Sequence, residues 1–410
     1  MKILLATYWA VPHVGGVWPF MLQLQKQLQA RGHEVDLLGN GDDPGSTFVS
    51  IIDKLRLDKK KLRPLLMEKL NKHSYPAIHR NQLVQYTEME RYIYELATAY
   101  FNLGQYDLIH TQDVISTGCF ERVRPQNTAL VASLHGSVAY EVERQFSTIH
   151  KSPTVPMARD YFQWLEHFGA SSAEITIVAN EWLQRILTRE FDVPPDKIRM
   201  YPYGYDQTAF EERKKVKSDV ERPAGKKIIM YAGRLIEQKG IHHLLSALGE
   251  LKKKRNDWVC WLIGEGDQQV KLRSQTKALG MEKDIHFWGK RDDVPHMLQY
   301  ADIFVHPSIL DNQPLSVIEA QLSGLPVIVS DAGGLPEMVA HQETGIITPL
   351  GDIQALSDHI DLLLSNEELR KRIGENAKKW AAQHWSLSQM VDRFIAVYEY
   401  AIRKRRGGAK

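Results

Sequence analysis

The chain has 410 residues, 43% of them hydrophobic and 25% charged, and a formal net charge of +2. This composition is typical of globular proteins and excludes a disordered or fibrous chain, and the length fits two domains of roughly 200 residues each. The small net charge gives no indication of nucleic-acid binding. Two cysteines, Cys119 and Cys260, are too few for a disulfide framework, which favours a reducing compartment.

Short apolar runs recur along the first half of the chain, and runs without polar alternation are typical of strands buried on both faces of a parallel sheet. They are KILLAT from Lys2, EVDLLG from Glu34, DLIHT from Asp107, ALVASLH from Ala129, EITIVAN from Glu174 and KIRMY from Lys197. No run approaches the ~18 apolar residues of a membrane span.

A glycine pair, Gly15-Gly16, lies between the first strand and a segment with apolar residues at helical spacing. The chain is therefore predicted to open as strand, glycine turn, helix and strand. Backbone N–H groups at such a helix start can bind a phosphate, so Gly16 is a candidate phosphate ligand. A tight turn without any ligand is the alternative interpretation.

A polar, charged stretch over residues 211–227, which includes Pro223 and Gly225, reads as an interdomain linker. A second set of apolar runs follows it: IIMYAG from Ile228, WVCWLIG from Trp258, IHFWG from Ile285, IFVHP from Ile303, PVIVS from Pro326 and GIITP from Gly345. The pattern predicts two doubly wound α/β domains with six-stranded sheets, and a mainly helical chain from Asp352 onward.

Two cations follow the first strand of the second set, in YAGRLIEQKG from Tyr231. Ligands of open α/β sheets bind at the carboxyl ends of strands, and this strand ends near Gly233. Arg234 and Lys239 are therefore candidates to bind a diphosphate, with solvated loop cations as the alternative.

The most informative stretch runs from His306 to Val339, HPSILDNQPLSVIEAQLSGLPVIVSDAGGLPEMV. Pro314 is predicted as the first helical residue, which leaves Asp311 in the preceding loop and places Glu319 on the helix. For Asp311 or Asn312, a helix cap is the alternative role.

The start of the same predicted helix is also a candidate anion site. The backbone N–H groups of Leu315, Ser316 and Val317 would have no partner within the helix and would point toward a bound anion.

This stretch resembles the donor-binding signature of the family 4 retaining glycosyltransferases. In that signature, seven residues separate two acidic residues, and the second acidic residue is followed by alanine, a GxPV motif and a Gly-Gly…Glu run. The chain supplies Asp311, Glu319, Ala320, Gly324, Pro326, Val327, Gly333, Gly334 and Glu337 in register. The resemblance extends through GGVWPF at Gly15, SLHGS at Ser133, YGYDQTAF at Tyr203, GRLIEQKG at Gly233, GEG at Gly264 and ADIFVHPS at Ala301.

The resemblance implies the GT-B fold, with two Rossmann-like, doubly wound parallel-sheet domains facing a central cleft. Residues 1–205 would form the acceptor-side domain and residues 206–386 the nucleotide-sugar donor domain. A C-terminal helix over about residues 387–410 would cross back to the first domain.

The resemblance also assigns roles to individual residues. Glu319 would bind the donor ribose, and the diphosphate would be bound by Gly16, Arg234, Lys239, Leu315, Ser316 and Val317. The donor sugar would contact Asp311, Asn312, Gln313 and Pro314. His135 and Asp311 are the catalytic candidates, as groups that orient and stabilise rather than as nucleophiles. The family usually has glutamate where this chain has Asp311, and asparagine where it has Tyr203; DNQP resembles an Asn-x-Pro variant.

The implied activity is transfer of a hexose-type sugar from a nucleotide-diphosphate sugar, with retention of anomeric configuration, in glycan, cell-envelope or glycolipid biosynthesis. No metal and no cofactor are expected, and a UDP-sugar is favoured over a GDP- or ADP-sugar. The acceptor, a glycan, a lipid-linked sugar or a small molecule, stays open, as does the oligomeric state. A sugar-nucleotide epimerase or hydrolase on the same scaffold, and a non-catalytic nucleotide-sugar-binding protein, are the alternatives.

A basic segment over residues 53–72, DKLRLDKKKLRPLLMEKLNK, is relevant to where the protein is located in the cell. It contains eight Lys or Arg residues and places Leu62, Leu65, Leu66 and Leu70 at helical spacing. Such a segment could rest on an anionic membrane, aided by the C-terminal RKRRGGAK from Arg403, or could be a solvated helix pair that covers the first domain. We expect a cytoplasmic protein and leave peripheral contact with the inner face of the membrane open.

Overall fold

The structure is a computed structural model that describes residues 1–12, 15–148, 154–216 and 218–407, without the side chains of residues 144, 145, 147 and 148. The chain divides into two compact units, one of residues 1–201 and 388–410 and one of residues 202–387. The last three residues of the basic C-terminal stretch, 408–410, lie outside the described residues, as does Lys217 in the polar stretch over 211–227.

The first unit is built on a sheet of eight strands. They are β1 (Lys2–Ala10), β2 (Glu34–Asn40), β3 (Phe48–Ile51), β4 (Leu55–Asp58), β5 (Leu108–Thr111), β6 (Ala129–Leu134), β7 (Ile175–Val178) and β8 (Ile198–Met200), in the order β4-β3-β2-β1-β5-β6-β7-β8. The prediction of six strands was wrong here, because β3 and β4 form an additional antiparallel edge. Both are short and half-exposed, so they lack the continuous apolar run of the inner strands.

The second unit has the predicted six parallel strands. They are β9 (Lys227–Ala232), β10 (Trp258–Ile263), β11 (Ile285–Gly289), β12 (Ile303–His306), β13 (Val327–Ser330) and β14 (Gly345–Thr348), in the order β11-β10-β9-β12-β13-β14. Along β9, Ile228 and Met230 enter one apolar cluster and Ile229 and Tyr231 enter another. The strand is therefore buried on both faces, as its unbroken apolar run predicts.

Fifteen α-helices are found among the described residues. They are α1 (Val17–Ala30), α2 (Arg63–Lys69), α3 (Gln82–Ala99), α4 (Val114–Val123), α5 (Val138–Thr148), α6 (Val155–Ser172), α7 (Glu181–Arg189), α8 (Gln207–Lys214), α9 (Ile241–Lys252), α10 (Gln269–Ala278), α11 (Val294–Met297), α12 (Leu315–Leu322), α13 (Ile353–Ser365), α14 (Glu367–His384) and α15 (Leu387–Gly407). None of them combines the length and the apolar character that a membrane span requires.

The boundary between the units lies after Tyr201, four residues before the predicted one. Residues 202–205 belong to the second unit because their backbone is bonded there: the N–H of Tyr205 donates to the carbonyl of Trp385 at 3.0 Å. The stretch over 211–227 is therefore part of the second unit and not a linker between units, and its first residues continue helix α8. The last helix, α15, packs on the first unit, where the Tyr398 hydroxyl lies 2.7 Å from Nδ1 of His110.

The basic segment over 53–72 does not form one amphipathic helix. Its first part is strand β4, and the helical part is confined to the seven residues of α2. Leu62 and Leu70 are buried, whereas Leu65 is 51% exposed, so the four leucines do not share one covered face.

Candidate active site

The candidate site lies at the centre of the second sheet. Strands β9 and β12 are neighbours there, and the strand order runs outward from them in opposite directions. Open α/β sheets bind ligands outside the carboxyl ends of strands at such a switch point. The loop after β9 carries Arg234 and Lys239, and the loop after β12 carries Asp311.

These two loops are packed directly against each other. The N–H of Ile309 donates to the carbonyl of Gln238 at 2.8 Å. Gly240 ends the turn that carries Lys239, with φ of +64°, and a Cβ at this position would lie 2.0 Å from the Pro307 carbonyl oxygen. Only glycine permits this approach, which brings the Lys239 side chain to Asp311.

Asp311 is the centre of a polar cluster. Its Oδ2 atom accepts hydrogen bonds from Lys239 Nζ, from His306 Nε2 at 2.7 Å and from Ser308 Oγ at 3.3 Å. The Asp311 side chain is only 14% exposed, and His306 is buried and stacked on the ring of Tyr231. The cap alternative for Asp311 does not hold, because no side chain caps the start of α12.

The charge state of this cluster follows from burial and pairing. Burial disfavours the Asp311 carboxylate, but Lys239 and the hydrogen bond from His306 outweigh it and hold the pKa of Asp311 below its usual range. Burial lowers the pKa of His306, although Asp311 opposes the shift. We therefore assign an ionised Asp311, a neutral His306 that donates its Nε2–H, and a buried ion pair between Asp311 and Lys239.

Helix α12 begins at Leu315, shortly after Asp311 in the chain. The prediction that Pro314 is the first helical residue was wrong by one position. Pro314 has an extended ψ of 127°, and the helix begins at Leu315. The N–H of Val317 donates to the Pro314 carbonyl at 3.1 Å, so this predicted diphosphate donor is already used in the first turn. Leu315 and Ser316 contribute the two N–H groups ahead of it.

Glu319 lies one turn further along α12. Its Oε1 atom accepts a hydrogen bond from the hydroxyl of Tyr205 and lies 3.7 Å from Nη1 of Arg213. Burial raises the pKa of Glu319, while Tyr205 and Arg213 oppose the shift. The alternative of a fully solvated surface carboxylate does not fit, since the side chain is 14% exposed.

Asn312 and Gln313 follow Asp311 in the loop before α12. The Gln313 side-chain amide binds both backbone groups of Tyr203, accepting from its N–H at 3.0 Å and donating to its carbonyl at 3.0 Å. Both Asn312 and Gln313 are buried. Gln313 thus fixes the YGYDQTAF segment against the loop after β12, and its amide is engaged within the chain.

Arg234 is an exposed cation at this edge. Its guanidinium forms no hydrogen bond and no ion pair with any residue that the structure describes, in contrast to Lys239. It is therefore available to an anion without breaking an existing contact.

Two predicted residues, Gly16 and His135, belong to the first unit. Gly16 precedes α1 with φ of −67°, a value open to any residue, and a Cβ would meet nothing within 4 Å. His135 follows β6; its Nε2 lies 2.9 Å from Oε1 of Gln112, and its ring packs edge-on against Phe20. Burial lowers the pKa of His135 to about 3, so its imidazole is neutral at pH 7.

Three polar residues of the site were not identified from the sequence: His306, Tyr205 and Arg213. His306 ends strand β12 and precedes Asp311, so its position at a strand end was the available signal. Tyr205 and Arg213 lie more than one hundred residues before Glu319 in the chain, and no local pattern connects them to it.

Two family models match consecutive parts of the chain. The model described as Glycosyltransferase Family 4 matches residues 14–208, and the model described as Glycosyl transferases group 1 matches residues 212–380. The chain belongs to glycosyltransferase family 4. This membership favours glycosyltransfer over the alternatives of an epimerase, a hydrolase or a non-catalytic binding protein.

Relatives of this glycosyltransferase span the whole chain. An MMP alpha-(1->4)-mannosyltransferase of Mycolicibacterium hassiacum is 24% identical over 98% of both chains. An N-acetyl-alpha-D-glucosaminyl L-malate synthase of Bacillus anthracis is 24% identical over 97% of both chains. The solved structure of Anabaena Alr3699/HepE in complex with UDP has a TM-score of 0.69 and 20% identity, over 98% of this chain and all of that one. The fold is therefore GT-B, as the resemblance implied.

Proposed function

We propose that this glycosyltransferase transfers a hexose-type sugar from a UDP-sugar to an acceptor hydroxyl with retention of anomeric configuration. The observation that carries the proposal is the cluster of Lys239, Asp311 and the start of α12 at the switch point of the second sheet. Cations, a helix start and an ionised carboxylate are brought together where this type of sheet binds ligands.

The diphosphate would be bound at the positive side of this cluster. Arg234 is exposed and forms no ion pair within the described residues, and the N–H groups of Leu315 and Ser316 begin an uncapped helix. Cleavage of the bond between the anomeric carbon and the phosphate leaves negative charge on the diphosphate, and groups already in place stabilise it without reorganisation. Lys239 would share its charge between Asp311 and this leaving group.

The sugar would lie beside Asp311. Three donors hold one oxygen of this carboxylate, Oδ2, and the pKa of Asp311 is held low, so the group is a fixed hydrogen-bond acceptor for sugar hydroxyls. This arrangement supports an orienting role more than nucleophilic attack. In the same-face route to retention, the acceptor oxygen bonds to the anomeric carbon, the carbon–phosphate oxygen bond breaks, and the departing phosphate takes the acceptor proton.

Positive charge from Arg234 and Lys239 supports a metal-independent reaction. Among the described residues, no group of three or more His, Cys, Asp or Glu side chains is arranged to hold a metal ion. UDP is the proposed nucleotide because a solved structure of the same fold, Alr3699/HepE, contains it.

A two-step experiment tests the proposal. Thermal shifts with UDP-, GDP- and ADP-hexoses identify the donor, since selective binding raises the apparent stability. Proton NMR then follows the anomeric configuration of the product formed on a panel of glycan, lipid-linked and small-molecule acceptors. Product with inverted configuration, or accumulation of an epimer without acceptor, contradicts the proposal.

We also propose that the surface of α2 and the residues after it contacts an anionic membrane, which favours a lipid-linked acceptor. Leu65, Met67 and Tyr75 are 51%, 59% and 49% exposed, and exposed cations lie near them along the chain. Those cations are Lys60, Lys61, Arg63, Lys69, Lys72 and Arg80. Exposed apolar side chains among lysines are typical of proteins that bind anionic lipid surfaces.

Sedimentation with vesicles of phosphatidylglycerol and phosphatidylcholine tests this contact. We expect binding to the mixed vesicles and not to pure phosphatidylcholine, and a loss of binding in the variant Leu65→Asp/Met67→Asp. Leu279→Asp, at an exposed leucine of the second unit, is the matched control. Equal sedimentation of both variants, or none for the wild type, excludes the membrane contact.

A further inference from the structure

Two side chains from residues 205–213 meet a single oxygen of Glu319. The Tyr205 hydroxyl donates to Oε1, and Nη1 of Arg213 lies 3.7 Å from the same atom. Within the described residues, Oε2 of Glu319 forms no hydrogen bond. The carboxylate is therefore held at one oxygen and open at the other.

Tyr205 is itself firmly placed. Its backbone N–H donates to the Trp385 carbonyl at 3.0 Å, and residues 205 and 386 form an isolated parallel bridge. Its ring is 8% exposed and packs edge-on against Phe210, with 5.8 Å between centroids. A side chain fixed along its length presents its hydroxyl at one position, so the contact with Glu319 is prepared before any ligand arrives.

We propose that Tyr205 is a positioning residue for nucleotide binding, which holds Oε1 of Glu319 so that Oε2 accepts a hydrogen bond from a ribose hydroxyl of a nucleoside diphosphate. The inference rests on the proposed function and on the role that the resemblance implies for Glu319, binding of the donor ribose. Arg213 assists Tyr205 electrostatically, and its contribution is smaller because its side chain is 49% exposed.

The inference predicts an effect on charge as well as on geometry. Burial raises the pKa of Glu319, and Tyr205 and Arg213 counteract it. Removing the Tyr205 hydroxyl therefore raises this pKa further. Since a carboxylate is the stronger acceptor, the variant should lose nucleotide affinity at a higher pH than the wild type as the solution is acidified.

Calorimetric titration with UDP, GDP and ADP from about pH 5.5 to 8 tests the inference. We expect Tyr205→Phe to weaken binding of the preferred nucleotide about tenfold, the usual effect of losing a hydrogen bond to a charged group. Arg213→Gln should weaken binding less, by an amount that decreases with added salt. Tyr300→Phe is the matched control, because its hydroxyl contacts His296 and not Glu319.

Glu319→Gln separates this inference from the proposed function. If Glu319→Gln weakens binding and Tyr205→Phe binds like the wild type at every pH, the positioning role is wrong and the ribose role stands. If no nucleotide binds the wild type, both fail. A third outcome also overturns the inference: Tyr205→Phe loses the same fraction of nucleotide affinity at every pH, and Arg213→Gln binds like the wild type. This result would indicate that Tyr205 has only a structural role.

Discussion

Lys239 and Asp311 form an ion pair although 72 residues separate them in the chain, and their side chains are 13% and 14% exposed. The pair joins the loops after β9 and β12 at the centre of the second sheet. Because the His306 and Ser308 side chains and the backbone N–H of Asn312 also donate to Asp311, the carboxylate keeps three hydrogen-bond donors if Lys239 is removed.

The first prediction concerns the separate roles of this pair. Asp311→Ala should lower kcat about 10- to 100-fold with little change in the donor KM, because the carboxylate orients the sugar. Lys239→Ala should mainly raise the donor KM, because the lysine neutralises the diphosphate. Steady-state kinetics with the preferred donor check both, and equal kinetic changes in the two variants would contradict the assignment.

The same pair makes a prediction about stability. Lys239→Met should cost about 2–4 kcal/mol of unfolding free energy, since it leaves a buried carboxylate without its cation. Because the pKa of Asp311 in the folded protein is below its unfolded value of about 4, the stabilisation is present above pH ~4 and is lost as pH falls further. Urea denaturation should therefore show a stability deficit in Asp311→Asn that is constant from about pH 5 to 8 and shrinks below pH ~4. A deficit that varies across the neutral range would argue against the pair.

A third prediction concerns the backbone that holds Asp311. Gly333 has φ of +62°, and a Cβ there would lie 2.0 Å from the Asp311 carbonyl oxygen. Gly333→Ala should destabilise the second unit by more than ~2 kcal/mol and weaken donor binding, because the loop must move. Gly280→Ala is the control: its φ is +64°, and a Cβ would meet nothing within 4 Å. Equal unfolding free energies for the two variants would show that the close approach is not important.

The four inner strands of the second unit, β10, β9, β12 and β13, could be predicted because they are buried on both faces and consist of short apolar runs. Strands β3 and β4 could not, since β3 alternates buried and half-buried residues and β4 is largely exposed. The basic segment over 53–72 was misread for a related reason: charge and leucine spacing fit a helix, but residues 55–58 pair with β3 as a strand.

For the candidate site, the sequence identified the residue types but not their pairings. Asp311, Glu319 and the start of α12 lie within one local motif, and their order along the chain predicts their placement. The partners Lys239 and Tyr205 reach these carboxylates only through the tertiary fold, so neither contact could be predicted from local sequence. The same holds for the contact between Gln313 and Tyr203.

The fourth prediction concerns two buried histidines of the first unit. Burial lowers the pKa of His110 and of His135 to about 3, whereas an unfolded histidine titrates near pH 6.5. Below that pH the unfolded chain binds more protons, so stability should fall on acidification by up to about 1.4 kcal/mol per pH unit for each histidine. His110→Gln should reduce this slope. Ser133→Ala, which removes the 2.8 Å hydrogen bond to His110, should lower stability but leave the slope of stability against pH unchanged. Parallel slopes for wild type and His110→Gln would refute the prediction.

The fifth prediction concerns Glu166, a buried carboxylate of α6 that accepts a hydrogen bond from the first turn of α5, and its pH dependence has the opposite sign. It accepts the N–H of Ala139 at 3.0 Å, and burial raises its pKa to about 7, opposed by hydrogen bonds from that backbone and from Ser137. Between about pH 4.5 and 7 the folded state therefore binds the extra proton, and stability should fall as pH rises, by about 1.4 kcal/mol per pH unit.

Glu166→Gln keeps an acceptor for Ala139 and abolishes this titration. Its stability relative to the wild type should therefore increase from pH 5 to about pH 8. Ser137→Ala removes a donor to the carboxylate, which raises the pKa of Glu166 further and should extend the decline to higher pH. Urea denaturation across this range distinguishes the two variants by the shape of their pH profiles. If Glu166→Gln is less stable than the wild type by the same amount at every pH, the carboxylate is ionised throughout and its burial does not control its charge.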